Sequence, residues 1–143
     1  MQFDIITTRR SERIIKIFQP KDLFLFLKRY GKCRHEILFT VTVSSALEVI
    51  GVHITSLGVA DGTMFHPREI FYKAIKDNAC KIIIAHNHPS SNLIPSPSDI
   101  KMTRNIRDAG KVLDIPLLDH LIFNDEDYLS FRLKKIVKFF KEK

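Results

Sequence analysis

The chain of 143 residues predicts a single α/β domain of two or three layers, on three observations. Short apolar runs of strand length alternate with stretches whose apolar residues recur at helical spacing. Proline, glycine and small polar residues punctuate the changeovers. Apolar content of 45% and charged content of 27% are those of a globular protein. A domain of this size buries about 68–70% of the surface its unfolded chain exposes.

Taken in order, Arg13 to Phe18 (RIIKIF) reads as a first strand that Gln19-Pro20 ends. Pro20 then opens a helix to about Tyr30, with Leu23, Phe24, Leu27 and Tyr30 on one stripe and Gly31 as its stop. Glu36 heads the run Ile37 to Val43, whose Ile37, Phe39, Val41 and Val43 share a face at period two. A turn over Ser44–Leu47 and a strand from Glu48 to Leu57 complete a hairpin. Gly58 to Phe65 is loop-like, Pro67 to about Asp77 a helix, and Cys80 to Ala85 a buried strand. A helix follows from Pro97 to about Leu113, with Ile100, Ile106, Ala109 and Leu113 toward one side. Leu117 to Phe123 is another strand, closed by a turn at Asn124-Asp125.

The chemistry concentrates in Lys81–Asp99, KIIIAHNHPSSNLIPSPSD. Strand alternation points His86 and His88 to the same side, where two imidazoles can share a metal ion. Asp99 offers a third ligand, and two histidines with a carboxylate leave an open position for water, as in catalytic zinc. With six histidines in the chain, chance gives about 0.25 His-x-His pairs, so the pair alone is a weak signal. The Ser96–Asp99 segment also reads as a helix start with no metal: Ser96 as N-cap, Pro97 in the first turn, Asp99 closing a capping box. Spacing leaves both readings open.

The order His86-x-His88-Pro89, then Ser96 and Asp99, resembles the JAMM motif of MPN-domain zinc metalloproteases. The string HNHPSSNLIPSPSD is more similar still to the RadC branch, whose hallmark is His-Asn-His-Pro-Ser-Gly. His66–Phe71 (HPREIF), Ala109-Gly110-Lys111 and Leu117-Leu118-Asp119-His120 extend the resemblance to about residues 10–131. Ser91 stands where the hallmark has glycine and Leu93 where proline is common; neither is a proposed ligand. The resemblance implies an MPN (cytidine-deaminase-like) domain over residues 1–131, a mixed central sheet flanked by helices. It also implies Zn²⁺ on His86, His88 and Asp99, and hydrolysis of a peptide or isopeptide bond in a protein substrate.

By the same pattern Glu36, ahead of the strand after the first helix, is the general base, and Ser96 hydrogen-bonds the developing oxyanion. Glu48 and Glu69 are the other upstream carboxylates, and each has a bland reading: a hairpin turn for Glu48, a helix N-terminus for Glu69. Glu36 itself also reads as an exposed strand-edge carboxylate. Of the remaining histidines, His35, His53 and His66 read as surface or packing residues. One of Asp119-His120 can orient a metal ligand from behind, although alternation sends the two side chains to opposite faces.

Residues 132–143 (RLKKIVKFFKEK) carry six Lys or Arg and one Glu, with Leu133, Ile136, Val137 and Phe140 at the spacing of an amphipathic helix. A helix docked on the domain with a solvated basic face is the plainer reading. Net charge of +7 and pI near 9.5 keep an acidic partner in view, and nucleic acid bound through this tail is the alternative function. It agrees with the traditional DNA-repair label of RadC proteins, although the N-terminal helical region of longer RadC proteins is expected to be missing. His-Asn-His is not the HNH nuclease signature, whose three residues are separated along a ββα unit. No run of about 18 apolar residues spans a membrane, the start MQFDIITTRR lacks a signal-peptide pattern, and solitary Cys33 and Cys80 suit a cytoplasmic protein.

Overall fold

The computed structural model describes residues 4–7, 15–57, 66–89 and 92–139. Six strands form one mixed sheet: β1 (Asp4–Thr7), β2 (Ile37–Val43), β3 (Val49–Leu57), β4 (Lys81–Asn87), β5 (Leu117–Phe123) and β6 (Tyr128–Ser130). Their order across the sheet is β1-β3-β2-β4-β5-β6. Only β4 and β5 pair in parallel. A parallel pair needs a crossover, and the helix α3 (Pro97–Leu113) supplies it. Helices α1 (Pro20–Leu27) and α2 (Pro67–Lys76) complete the flanks.

The sheet is buried on both faces, which settles the layering at three. On one face Leu23, Phe24 and Leu27 of α1 meet Ile37, Phe39, Val41, Ile83 and Leu121. On the other, Ile70, Phe71 and Ala74 of α2 and Ile106 of α3 meet Leu38, Ile82, Ile84 and Ile122. Every residue of β2 is buried, so its period-two stripe supplies one core and the residues between supply the other side. Among the described residues no helix is long and apolar enough to cross a membrane.

Several elements differ from expectation. The run from Arg13 to Phe18 is no strand over its described part: Lys16 makes a lone bridge to Glu48, Ile15 and Ile17 turn toward the core, and Phe18 lies exposed. Arg13 and Ile14 fall outside the described residues, as does the predicted 58–65 loop. The edge strands β1 and β6 were not anticipated; four and three residues are too short to show a period. The helix α1 passes into a 3₁₀ turn at Lys28–Tyr30, and the last turn of α3 leaves Val112 and Leu113 exposed. The tail through Phe139 is a series of turns rather than an amphipathic helix, with Lys135 left-handed. Val137 and Phe139 are buried while Leu133 is exposed, a spacing of two that a helix cannot satisfy; Phe140–Lys143 lie outside the described residues.

Gly31 follows the first helical segment as expected, but not through a left-handed conformation, since its φ is −66°. It is glycine because a Cβ there would lie 2.2 Å from the carbonyl carbon of Asn124 and 2.3 Å from the amide nitrogen of Asp125. Both are backbone atoms of the β5–β6 turn and have no rotamer to escape into. Gly31→Ala is expected to cost roughly 2–3 kcal/mol, read as a lower urea midpoint at unchanged slope.

Candidate metal centre

The chain brings His86, His88 and Asp99 together at the C-terminal end of β4 and the N-terminus of the crossover helix. One potential ligand atom from each lies within 4.8 Å of the others. His86 Nε2 is 2.8 Å from His88 Nε2, 3.5 Å separates His86 Nε2 from Asp99 Oδ1, and 3.6 Å separates His88 Nε2 from Asp99 Oδ2. Zinc bonds of about 2.0–2.1 Å give a tetrahedral edge near 3.3 Å, so these separations fit a single ion with adjustments of a few tenths of an ångström. The donor set is right as well: two imidazoles and a carboxylate.

Strand geometry explains the histidines. His86 is the sixth residue of β4 and fully within the sheet; His88 lies just beyond, its amide donating to Phe123 O so that the pairing with β5 continues one step further. Pro89 then has no N–H to extend it. The His88 ring is held by its far side, where Nδ1 lies 3.0 Å from Asn92 O. A carbonyl can only accept, so Nδ1 carries the proton and Nε2 faces the site.

Asp99 is held by the device that the sequence suggests. Ser96 is the N-cap of α3, its Oγ accepting from Asp99 N at 3.0 Å while Asp99 Oδ2 accepts from Ser96 N at 2.8 Å. The two sequence readings of this segment are therefore compatible: one carboxylate closes the capping box and also faces both imidazoles. Ser96 Oγ uses a lone pair on the helix, and a hydroxyl that accepts can still donate its own proton.

Glu36 precedes β2, whose Leu38 lies opposite His86. Continuing that antiparallel register carries Glu36 toward His88, and its half-buried carboxylate is electrostatically coupled to His88 and Asp99. The alternatives sit elsewhere. Glu48 reaches Lys16 at 3.9 Å at the hairpin end of the sheet, and Glu69 is exposed in the first turn of α2.

The electrostatics favour a cation between these groups. Burial pushes His86 down to about 4, the neighbouring Asp99 opposing and His88 adding to the effect. His88 is also penalised by burial, but hydrogen bonding to Asp99 and Asn92 and the charges of Asp99 and Glu36 bring it above its ordinary value. Burial alone would raise Asp99; the His88 hydrogen bond, the His86 charge and the Ser96 contacts outweigh it and hold the carboxyl well below the usual range. Glu36 is raised, chiefly by burial, with His88 pulling it down and Asp99 pushing it up.

Two residues at the site, Thr103 and Asn87, are not singled out by the sequence reading, and a third, His120, is named there only as one of a pair. His120 presents Nε2 to His86 Nδ1 at 2.7 Å, resolving which member of Asp119-His120 lies behind a ligand. Asp119 faces the other way, its carboxylate taken by Ser130 Oγ and the amides of His120 and Arg132. Thr103, one turn into α3 from Asp99, bonds His120, and nothing in its spacing marks it. Asn87 points to the α1 face, where Oδ1 accepts Ile37 N–H at 2.6 Å and Nδ2 donates to Cys33 O and His35 O. Alternation could have revealed it, because an amide sent into a core must find partners. Of the other histidines, His53 is buried against Asp77 at 2.6 Å, while His35 and His66 are exposed.

The chain is similar over most of its length to a known family and to several relatives. Residues 17–136 match the family model of the RadC-like JAB domain. A UPF0758 protein of Clostridium perfringens is 39% identical over 124 residues, 86% of this chain and 55% of the relative. One of Methanospirillum hungatei is 42% identical over 127 residues, 89% of this chain and 53% of the relative. One of Thermosynechococcus vestitus is 50% identical over 84 residues, 59% of this chain and 34% of the relative. The chain thus spans about half the length of the curated relatives it matches.

Proposed function

The chain belongs to the RadC-like JAB domain family, and from that premise we propose that it is a zinc-dependent hydrolase of peptide or isopeptide bonds. The observation that carries the reading is the convergence of His86 Nε2, His88 Nε2 and the Asp99 carboxylate at zinc-compatible separations. His86, His88 and Asp99 would hold the zinc ion, which would supply a Lewis acid able to activate water near neutral pH. Glu36 takes the proton from the attacking water and returns it to the leaving amine. Ser96 donates its hydroxyl proton to the oxyanion as the carbonyl turns tetrahedral, while its lone pair keeps the helix capped. Asp99 contributes the anion and, through the capping box, the fixed start of α3.

The test is a panel of fluorogenic peptide and isopeptide substrates with zinc-loaded protein. Glu36→Gln is expected to retain zinc and lose roughly 10²–10⁴-fold in turnover. Turnover indifferent to metal removal would overturn the reading.

Exposed Arg132, Lys134, Lys135 and Lys138 favour one accessory reading, contact with a nucleic-acid backbone. DNA affinity with a steep salt dependence, lost on replacing Arg132, Lys134, Lys135 and Lys138 by neutral residues that leave the buried Val137 and Phe139 in place, is its expected signature.

A further inference from the structure

Behind His86 runs a chain of three short contacts in the core. His86 Nδ1 lies 2.7 Å from His120 Nε2, His120 Nδ1 lies 2.6 Å from Thr103 Oγ1, and Thr103 Oγ1 lies 2.6 Å from the backbone oxygen of Asp99. Each contact is short enough to require a proton between its atoms, and the source of each proton can be worked out from the far end.

The Asp99 carbonyl can only accept, so the proton in the last contact comes from Thr103. A hydroxyl has one proton, so Thr103 has none left for His120, and the proton in the middle contact belongs to His120 Nδ1. In the first contact the proton comes from either His120 Nε2 or His86 Nδ1. The former would make His120 an imidazolium. His120 and Thr103 have no measurable exposure, and the neighbouring carboxylate of Asp119 points to the opposite face of the sheet. A buried imidazolium without a hydrogen-bonded anion is strongly disfavoured. The proton therefore resides on His86 Nδ1.

We infer that Thr103 and His120 are positioning residues that hold His86 in the Nδ1–H tautomer, leaving Nε2 bare and aimed at Asp99 and His88. The direction of the relay is set by a backbone carbonyl of α3, the same residue whose side chain faces the metal-binding nitrogens. Asp99 thus acts twice: its carboxylate stands at the front of His86, and its main-chain oxygen fixes the protonation of that ring from behind. Phe131 stacks on His120 at a centroid distance of 4.3 Å and 19° between planes, keeping the ring edge-on to both partners. His88 donates Nδ1–H to Asn92 O. In the metal-free protein the proton in the 2.8 Å contact between the two Nε2 atoms sits on His88, the less buried ring and the one that faces both Asp99 and Glu36, so that His86 Nε2 accepts it.

The consequence for affinity rests on the zinc reading, whereas the tautomer does not, and the experiment separates them. Histidine ¹⁵N shifts of the metal-free protein report which ring nitrogen of His86 is protonated; zinc affinity is measured in parallel by chelator competition. The wild type is expected to show Nδ1–H at His86. Thr103→Val, close in shape but without the hydroxyl, is expected to mix the His86 tautomers and weaken zinc binding about 10–100-fold. Thr103→Ser, which keeps the hydroxyl, is expected to restore both.

Nε2–H at His86 in the wild type overturns the inference whatever zinc does. So does a Thr103→Val protein with wild-type tautomer and affinity. Should Thr103→Val fail to fold, the wild-type and Thr103→Ser spectra still decide. Nδ1–H at His86 in a protein that takes up no zinc would sustain the relay and sink the hydrolase reading.

Discussion

Asp99→Ala is expected to weaken zinc binding by more than about 100-fold and to cost about 1 kcal/mol of stability in the metal-free protein. Two separate losses are involved. The first is the only carboxylate of the ligand group, without which two neutral imidazoles hold the ion. The second is the acceptor for Ser96 N–H at the start of α3. Asp99→Asn divides them: its side-chain oxygen can still close the capping box, so stability should recover while zinc binding remains impaired. Ser96→Ala divides them the other way, losing about 1 kcal/mol and turnover but keeping zinc. Zinc content after dialysis and urea denaturation of the three variants check these expectations. Wild-type zinc affinity in Asp99→Ala would remove Asp99 from the ligand set.

Asn87→Ala is expected to lose roughly 4 kcal/mol, the largest stability effect at the site. The amide is fully buried and satisfies the Ile37 amide and the carbonyls of Cys33 and His35. Truncation orphans the buried Ile37 amide, at about 1–3 kcal/mol, and takes the donor from the part-buried carbonyls of Cys33 and His35, at about 1 kcal/mol each. Those groups bracket Glu36, so the same change frees the segment that carries the base. Zinc should still bind, because the ligands face the other side of the sheet, while hydrolysis falls. Hydrogen exchange at Ile37 gives the local readout: its amide should lose protection well before the rest of β2. Unchanged protection there would show that the segment is held by other contacts.

Much of this could be seen in the chain. Helices α2 and α3 were legible because a proline and an acid stand at the start of each, joined in α3 by a helical stripe, and β4 and β5 because their apolar runs are of strand length and bounded by turns. Alternation puts His86 and His88 on one side and capping chemistry gives the Ser96–Asp99 box, but the choice of a metal site came with the family resemblance. What was hidden depends on partners distant in sequence. RIIKIF has a strand-like composition, yet its described residues find one bridge rather than a ladder. The tail shows helical spacing, but burial of Val137 and Phe139 against the α2–α3 face overrides it. Gly31 is dictated by a turn near Asn124, and Thr103 meets His120 only because β5 delivers that ring beside it.

One strand–helix unit, Lys81 through Leu113, contains all three metal-facing residues, while Glu36 arrives from a strand far upstream. Closing the short loop between His88 and Asp99 costs little chain entropy, whereas bringing β2 alongside β4 is a long-range event. On the zinc reading proposed above, a nascent or partly unravelled chain would therefore capture its ion before it owns a base. Such a species would be loaded but inert. Under the proposed hydrolase reading, cleavage would then wait on completion of the sheet, and a chain that has not finished folding would pose no hazard to its neighbours.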